Sequence, residues 1–229
     1  MTRILANPAT TRIRHSVTPM SIDPHTTRQA VRHLKSVDPT MRKLIDRAGP
    51  VTLKLQRNRF EVLVKSIISQ QISTKAATSI RRRVEQLAGP GRLTAPRMAA
   101  LSVDELRTAG VSNQKANYLL DLAQKTCDGE IRFSRMRRMP DDEIIDELVQ
   151  VKGIGLWTAQ MFLMFSLGRL DVFPYGDLGI QKALQALYGL SDLPDKQTAQ
   201  EIAEPWSPYA TIASWYCWRS IDDPEGGDW

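Results

Sequence analysis

Cysteine and histidine are scarce in this chain of 229 residues, which contains two of the first and three of the second. Cys127 and Cys217 are too few for a disulfide framework, and His15, His25 and His33 all lie near the N-terminus. Zinc and iron–sulfur sites need clustered thiolate or imidazole ligands. We therefore expect an intracellular protein with neither kind of site.

Long apolar runs are also missing. A membrane-spanning helix needs about 18 or more apolar residues, and the richest stretch here is the seven-residue "MFLMFSL" at 161–167. We expect a core helix at this place and no membrane partner. Before Asp23 there are basic residues but no acids, which could suggest organelle targeting, yet no clear amphipathic helix appears there. We interpret residues 1–25 as a basic tail that precedes a helical domain over 26–229.

Negative charge is scarce in the first part of the chain. Residues 1–140 contain 26 Lys and Arg against 10 Asp and Glu, whereas residues 141–229 contain 5 against 15. Such asymmetry is typical of a protein with one side facing a polyanion. The densest basic runs are "IRRRV" at 80–84 and "RFSRMRRM" at 132–139. Either run alone would be interpreted as a solvated surface.

Most of the secondary-structure patterns in the sequence are helical. Apolar residues recur at helical spacing through 58–73, and Ser102 with Glu105 forms a capping box. The predicted helices run over about 58–73, 74–88, 103–109, 113–127, 140–150, 156–167, 178–188, 195–204 and 207–220. Short connections between helices predict an all-α fold. We expect two interleaved lobes, with the first and last helices in one of them.

The stretch "VKGIGLWTAQ" at 151–160 joins two of these helices through a G-x-G turn. Glycine lets a phosphate approach the backbone closely, and the N-terminus of the following helix favours negative charge. An ordinary helix-to-helix turn is the commoner meaning of the pattern by itself. Asp177 follows Trp157 by twenty residues, at the predicted start of the next helix. A capping aspartate there also keeps a carboxylate available to oppose developing positive charge.

Together these segments resemble the helix-hairpin-helix superfamily of DNA glycosylases, and most closely its 3-methyladenine DNA glycosylase II branch. The resemblance rests on "KGIGLWTAQMFLMFSLGRLDVFPYGDLGIQKAL", on "SIISQQIS" in the first half and on "WSPYATIASWYCWR" near the end. It covers roughly residues 30–220. It implies the all-α helix-hairpin-helix glycosylase fold, with a hairpin at 149–157 and the active site in the cleft between the two lobes.

The resemblance also implies the chemistry. Asp177 matches the catalytic aspartate, which can stabilise oxocarbenium character on the sugar and orient or deprotonate water. Bifunctional members place a lysine nucleophile where this chain has Trp157. We therefore expect a monofunctional glycosylase that excises alkylated purines such as 3-methyladenine and 7-methylguanine and leaves an abasic site. It should require no cofactor.

Aromatic side chains are expected to receive the extruded base, because their faces suit a cationic purine. The residues assigned to this base pocket are Trp157, Met161, Trp215 and Tyr216. Trp206 and Trp218 are assigned to the core instead. Gln71 is the best match to the wedge that fills the gap in the duplex, and Ile72 is second.

Other contacts follow from the hairpin. The residues expected to bind DNA there are Lys152, Gly153, Gly155 and Thr158. The backbone carbonyls of Val149, Val151 and Ile154 match the sodium or potassium site of the family, whose ion bridges to a DNA phosphate.

The chain departs from the family pattern in three places. Lys152 stands where the hairpin usually has proline, which makes the turn less rigid but adds a positive charge. Met161 stands where some members have an aromatic residue, which makes the pocket looser. We also expect a short form without the sheet-containing N-terminal domain of longer members, which affects the expected substrate range.

Two other functions are consistent with the same motifs. One is a non-catalytic helix-hairpin-helix DNA-binding protein, although an acid beside DNA phosphates would weaken its binding. The other is a glycosylase for deaminated or oxidised bases, which would need more hydrogen-bonding groups in the pocket. For the leading interpretation we expect a monomer acting on damaged double-stranded DNA, in the cytoplasm or nucleoid of a bacterium or the nucleus of a eukaryote.

Overall fold

The computed structural model describes residues 20–221. Its architecture is almost entirely helical, so the predicted all-α class is confirmed. The described helices are α1 (Pro24–Val37), α2 (Pro39–Ala48), α3 (Arg59–Ser69), α4 (Thr74–Leu87), α5 (Ala95–Ala99), α6 (Val103–Thr108), α7 (Asn113–Cys127), α8 (Asp141–Val149), α9 (Leu156–Phe162), α10 (Leu178–Tyr188), α11 (Lys196–Ala203) and α12 (Ala210–Ile221). Within this part of the chain, none is long and apolar enough to cross a membrane.

Most of the tail predicted over 1–25 lies outside the described residues. Where the description begins, Met20–Ser21 pairs antiparallel with Lys54–Leu55 as a ribbon of two very short strands, β1 and β2. The first helix then starts at Pro24, capped by the carboxylate of Asp23 on the backbone N–H of Thr26 at 2.9 Å. The last two residues of the predicted tail therefore belong to a helix.

Capping side chains set several helix boundaries as the sequence predicts. Ser102 and Glu105 form the expected reciprocal capping box at the start of α6. The long helix predicted over 58–73 ends earlier, at Ser69, and α4 starts afresh at Thr74. The break is at Gln71, whose φ of +56° lies in the left-handed region and cannot continue a right-handed helix.

Two hydrophobic clusters form the core, and each defines a lobe. The middle lobe packs buried residues between Phe60 and Val172, mainly from α3 to α9. The outer lobe packs α1 and α2 against α10, α11 and α12, with buried residues from Ala30 to Ile45 and from Ile180 to Cys217. The chain thus starts in the outer lobe, builds the middle lobe and returns, which confirms the interleaved arrangement.

The connection from the middle lobe back to the outer lobe is fixed by hydrogen bonds to the start of α12. The Thr211 hydroxyl donates to the carbonyl of Arg169 at 2.7 Å and accepts the Val172 N–H at 3.0 Å. The Asp171 carboxylate accepts the Ser207 hydroxyl at 2.7 Å. These contacts hold residues 169–172 against the start of α12. They therefore fix the position from which the chain continues to Asp177.

A buried carboxylate joins three segments of the outer lobe. Asp38 is only 7% exposed and caps α2 through the backbone N–H groups of Thr40 and Met41. Its other oxygen accepts the Tyr188 hydroxyl and, at 2.8 Å, the indole N–H of Trp206. A charged group buried to this extent is tolerated only when its lone pairs are satisfied.

Replacing Asp38 with alanine should destabilise the protein by about 3 kcal/mol. The change removes a helix cap and leaves the Tyr188 hydroxyl and the Trp206 indole N–H buried without their acceptor. Urea unfolding followed by circular dichroism measures the loss. Asp195→Ala is the matched control, because Asp195 also caps a helix, through Thr198, but is exposed. It should cost about 1 kcal/mol. Equal losses for the two variants would contradict a stabilising role of the buried network.

Candidate active site

Asp177 is the N-cap of α10 and immediately precedes its first residue, Leu178. One carboxylate oxygen, Oδ1, accepts the backbone N–H of Ile180 at 2.9 Å. The preceding turn is closed by a hydrogen bond from the Asp177 N–H to the carbonyl of Pro174 at 2.9 Å. The turn and the cap together fix the carboxylate in space, and the positive end of the helix dipole favours its negative charge.

Two indole groups also hold this carboxylate. The Trp157 Nε1–H donates to Asp177 Oδ2 at 2.7 Å, and the Trp218 Nε1–H donates to Asp177 Oδ1 at 2.9 Å. Trp157 belongs to α9 of the middle lobe, while Trp218 belongs to α12 of the outer lobe. The carboxylate therefore lies between the lobes, as the predicted cleft requires.

A small apolar pocket opens on this carboxylate. Its walls are formed by Trp157, Met161, Phe165, Asp177 and Trp218. Trp157, Met161 and Phe165 follow one another at intervals of four residues and so share one side of α9 and the π-helical turn Leu163–Leu167 that extends it. The volume of about 10 Å³ is on the scale of one water molecule. In this conformation, the pocket is too small for a purine base.

A glycine allows the third aromatic wall to approach. A Cβ at Gly179 would lie 3.1 Å from Cδ1 of the Trp218 ring and 2.9 Å from Asp177 Oδ1. Both distances are shorter than ordinary van der Waals contact. The glycine two residues after the carboxylate thus makes room for the Trp218 indole to reach Asp177.

The pocket contains only part of the set predicted from the sequence. Trp157 and Met161 line it, but Trp215 and Tyr216 do not. Tyr216 is fully buried in the outer lobe and donates its hydroxyl to the Gly49 carbonyl at 2.9 Å. Trp215 packs edge-on against Tyr216, with its ring under the Arg219 guanidinium. The assignment of Trp215 and Tyr216 to the base pocket is therefore wrong for this structure.

Trp218 and Phe165 are the pocket residues that the sequence reasoning missed. Trp218, assigned to the core, is the aromatic residue of "SWYCW" that faces the site, because α12 turns Trp215 and Tyr216 toward the outer lobe. Two signals were present. Phe165 continues the four-residue spacing from Trp157, and Gly179 marks a close approach beside Asp177. Trp206 is buried in the core as expected.

The hairpin turn needs glycine at one of its two glycine positions. Gly153 has a φ of +81°, and a Cβ there would lie 2.1 Å from the Tyr118 ring. Gly155 has an ordinary φ of −99°, and a Cβ there would meet nothing within 4 Å. Gly153 is thus required by the fold, whereas the structure has open space where a Cβ at Gly155 would lie.

We expect Gly153→Ala to lower the free energy of unfolding by about 3 kcal/mol. Left-handed backbone strain costs about 1 to 2 kcal/mol and forced overlap with the Tyr118 ring about 1 to 3 kcal/mol. Gly189→Ala is the control, since Gly189 has a φ of +66° but nothing within 4 Å of a Cβ. Chemical denaturation of both variants separates the two causes. If Gly153→Ala lowers the free energy of unfolding no more than the control does, the Tyr118 ring moves aside without a loss of stability.

The other residues predicted at the hairpin differ in exposure. Lys152 is exposed. Its hydrogen bond to the Asp121 carboxylate, at 2.9 Å, is made by the backbone N–H and not by the side chain. Thr158 is 4% exposed and lies in the first turn of α9, so we expect its contact with DNA to come from the backbone N–H rather than from the side chain.

The carbonyls predicted to hold a monovalent ion lie at the end of α8 and in the turn that follows it. The carbonyl of Val151 accepts the Ile154 N–H at 3.0 Å, and a carbonyl oxygen has a second lone pair that could still face an ion. Rings of neutral carbonyl oxygens are the donors that suit potassium and sodium. In the described residues, no group of three or more His, Cys, Asp or Glu side chains could hold a metal ion.

The turn between α3 and α4 carries the two predicted wedge residues. Gln71 and Ile72 are both exposed, with Ile72 at 38%. The side chain of the preceding residue, Gln70, donates to the Gly153 carbonyl at 2.8 Å. This turn, residues 70–73, is called the wedge turn below, and it touches the hairpin directly.

The two basic runs have different surroundings. In the run at 80–84, Arg83 donates to the Ala109 carbonyl at 2.7 Å, whereas Arg82 is exposed beside Lys75 on α4. The run at 132–139 precedes α8, at the end away from the hairpin, and Arg135 there pairs with Glu147. Of the two runs, only the one at 80–84 belongs to α4, the helix that follows the turn of Gln71 and Ile72.

Comparison with known proteins agrees with this geometry. Residues 64–208 match the family model described as HhH-GPD superfamily base excision DNA repair protein. DNA-3-methyladenine glycosylase 1 of Schizosaccharomyces pombe is 32% identical over 193 residues, which are 82% of this chain and 85% of that protein.

Solved structures give the same result. A DNA-3-methyladenine glycosidase from Bacillus halodurans superimposes with a TM-score of 0.77 at 38% identity, over 83% of this chain and 88% of that one. The S. pombe 3-methyladenine DNA glycosylase in complex with abasic DNA superimposes with a TM-score of 0.75 at 30% identity, over 87% of this chain and all of that one. With a hairpin, a carboxylate between two lobes and these matches, the chain belongs to the HhH-GPD superfamily of base excision DNA repair proteins.

Proposed function

We propose that this protein is a DNA-3-methyladenine glycosylase, which hydrolyses the bond between deoxyribose and an alkylated purine in damaged double-stranded DNA. The observation that carries the proposal is the Asp177 carboxylate, fixed between the lobes at the mouth of an aromatic pocket. The names of the S. pombe and B. halodurans relatives support the same activity. The S. pombe structure contains abasic DNA, which is what release of a base leaves behind.

Asp177 stabilises positive charge as the glycosidic bond breaks. The departing purine takes the bonding electrons, and the sugar develops oxocarbenium character at C1′. Asp177 Oδ1 is occupied by Ile180 and Trp218, whereas Oδ2 has only the Trp157 hydrogen bond. Oδ2 is therefore the oxygen that opposes the sugar charge and orients water, whose hydroxide adds to C1′ while its proton is released.

The Trp157 indole must move when a base enters the pocket. At its present volume, the pocket has no room for a purine, and Trp157 is 37% exposed, so its indole has solvent on one side into which it can turn. Its displacement breaks the 2.7 Å hydrogen bond to Oδ2 and frees that oxygen for the sugar. The faces of Trp157 and Trp218 then contact the purine, and a cationic purine gains about 0.5 to 2 kcal/mol from such contacts.

The reaction ends at the abasic site. Cleavage of the strand by a bifunctional glycosylase requires an amine nucleophile beside the sugar. The described side chains that line the pocket are three aromatic residues, one methionine and one aspartate, and none of them supplies an amine. The protein acts as a monofunctional hydrolase and, with both lobes and the hairpin in one chain, as a monomer.

The hairpin holds the DNA backbone beside the lesion. Backbone N–H groups at the start of α9, the open space at Gly155 and the exposed Lys152 side chain provide contacts for a phosphate. A sodium or potassium ion held by the carbonyls of Val149, Val151 and Ile154 would add one positive charge at this contact. The Gln71 side chain enters the space that the extruded nucleotide vacates.

Incubation with methylated duplex DNA tests the proposal. We expect the wild-type protein to release 3-methyladenine and 7-methylguanine, detected as free bases by chromatography. The strands should remain unbroken until alkali is added, because no amine attacks the abasic sugar. The same duplex without methylation is the control and should release no base. Tight binding without release of either base would favour a non-catalytic DNA-binding protein, and strand breaks before alkali would contradict the monofunctional mechanism.

A further inference from the structure

The wedge turn contains a backbone conformation that its own sequence does not favour. Gln71 has a φ of +56°, the left-handed region that costs free energy for a residue other than glycine. Its side chain is exposed, so no burial of Gln71 compensates for the strain. Contacts from neighbouring segments must therefore impose the conformation.

Lys115 of α7 supplies two of these contacts. Its ammonium group donates to the carbonyl of Ile68 at 2.8 Å and to the carbonyl of Gln70 at 2.5 Å. Both carbonyls lie at the C-terminal end of α3, where they have no partner within the helix and where a positive charge is favourable. Partial burial lowers the pKa of the Lys115 ammonium.

The same face of α7 also holds the hairpin. The Tyr118 ring lies against Gly153, and the Asp121 carboxylate accepts the Lys152 backbone N–H at 2.9 Å. Lys115, Tyr118 and Asp121 follow at intervals of three residues, so they share one side of the helix. The Gln70 side chain closes the connection by donating to the Gly153 carbonyl at 2.8 Å.

We propose that Lys115, through Gln70, is a positioning residue that sets the wedge turn at a fixed distance from the hairpin, so that Gln71 enters the duplex opposite the phosphate that the hairpin holds. The inference rests on the proposed function. Two contacts on one duplex must match its geometry, and a misplacement of about 1 Å can lower a rate about 100-fold. Lys115 touches no substrate in this role and acts only through the turn.

Lys115→Met is the direct test, since methionine keeps an apolar stem and removes the ammonium group. We expect about a tenfold lower single-turnover rate of 7-methylguanine release from duplex DNA, with affinity for undamaged duplex changed less than twofold. In a Gln71→Ala background the same substitution should change the rate less than twofold, because the wedge it positions is already gone. Lys43→Met, which removes an exposed lysine of α2, is the charge-matched control and should leave the rate unchanged.

A second readout does not depend on catalysis. A duplex with 2-aminopurine beside a stable abasic analogue should brighten when wild-type protein inserts Gln71, and the signal should fall at least threefold for Gln71→Ala and for Lys115→Met. Gln70→Met, which removes the link to Gly153, should behave like Lys115→Met and replaces it if that variant does not fold.

The outcomes separate the inference from the proposed function. Absence of base release by the wild-type protein, together with a fluorescence signal that depends on Gln71 and Lys115, would overturn the function and support the positioning role. Rate losses from Lys115→Met and Gln71→Ala that multiply in the double variant would overturn the positioning role. Loss of undamaged-duplex affinity as large as the loss of rate would also overturn it, as would a wild-type protein that gives neither base release nor a signal.

Discussion

Asp177→Asn is expected to lower the single-turnover rate of 7-methylguanine release by about 100- to 1000-fold, the usual effect of removing one preorganised electrostatic contact with the reacting centre. Asparagine keeps the size of the side chain and its ability to cap α10 through the Ile180 N–H. It removes the negative charge that opposes the oxocarbenium ion. The amide NH₂ also faces one of the two indole N–H groups, so one hydrogen bond is lost.

A matched substitution separates charge at the site from charge elsewhere. Asp195→Asn makes the same change at the N-cap of α11, where the carboxylate is exposed and accepts the Thr198 N–H at 2.8 Å. Its rate should stay within twofold of the wild-type rate. Quenched-flow or manual sampling of free base under enzyme excess gives both rates. A rate for Asp177→Asn within tenfold of the wild-type rate would show that another group carries the chemistry.

The sequence predicted the parts of the site that depend on local structure. The G-x-G turn, the helix that starts after it and the capping position of Asp177 each need only a few consecutive residues, so their patterns are visible in the chain itself. The spacing of Trp157 and Met161 is likewise local to one helix. The predicted pair lies beside Asp177 in the folded protein.

The sequence could not fix contacts that depend on how one helix is rotated against another. "SWYCW" contains three aromatic residues within four positions, and the packing of α12 on the outer lobe determines that Trp218 faces the pocket. The same limit applies to the support of the wedge turn. Lys115 lies 45 residues from Gln70, and no local pattern predicts that they meet.

The second large effect concerns the charge of the departing base. We expect release of 7-methylguanine to exceed release of hypoxanthine from a duplex of the same sequence by about 100- to 10,000-fold, the range that a positioned general acid contributes. A neutral purine must be protonated to leave readily. The Trp218 indole N–H is directed at Asp177, and an indole N–H such as that of Trp157 is too weak an acid to protonate a purine. Met161 and Phe165 have no proton to give.

The pH dependence of the two reactions distinguishes this explanation from simple exclusion of hypoxanthine by shape. If the missing general acid limits neutral bases, hypoxanthine release should rise as the pH falls from 8 to 6, because solution acid replaces the absent donor, whereas 7-methylguanine release should change little. Exclusion by shape would give slow hypoxanthine release at every pH. Equal rates for the two bases at neutral pH would contradict the assignment of cationic purines as substrates, because the pocket would then have to supply a proton that none of its described side chains can donate.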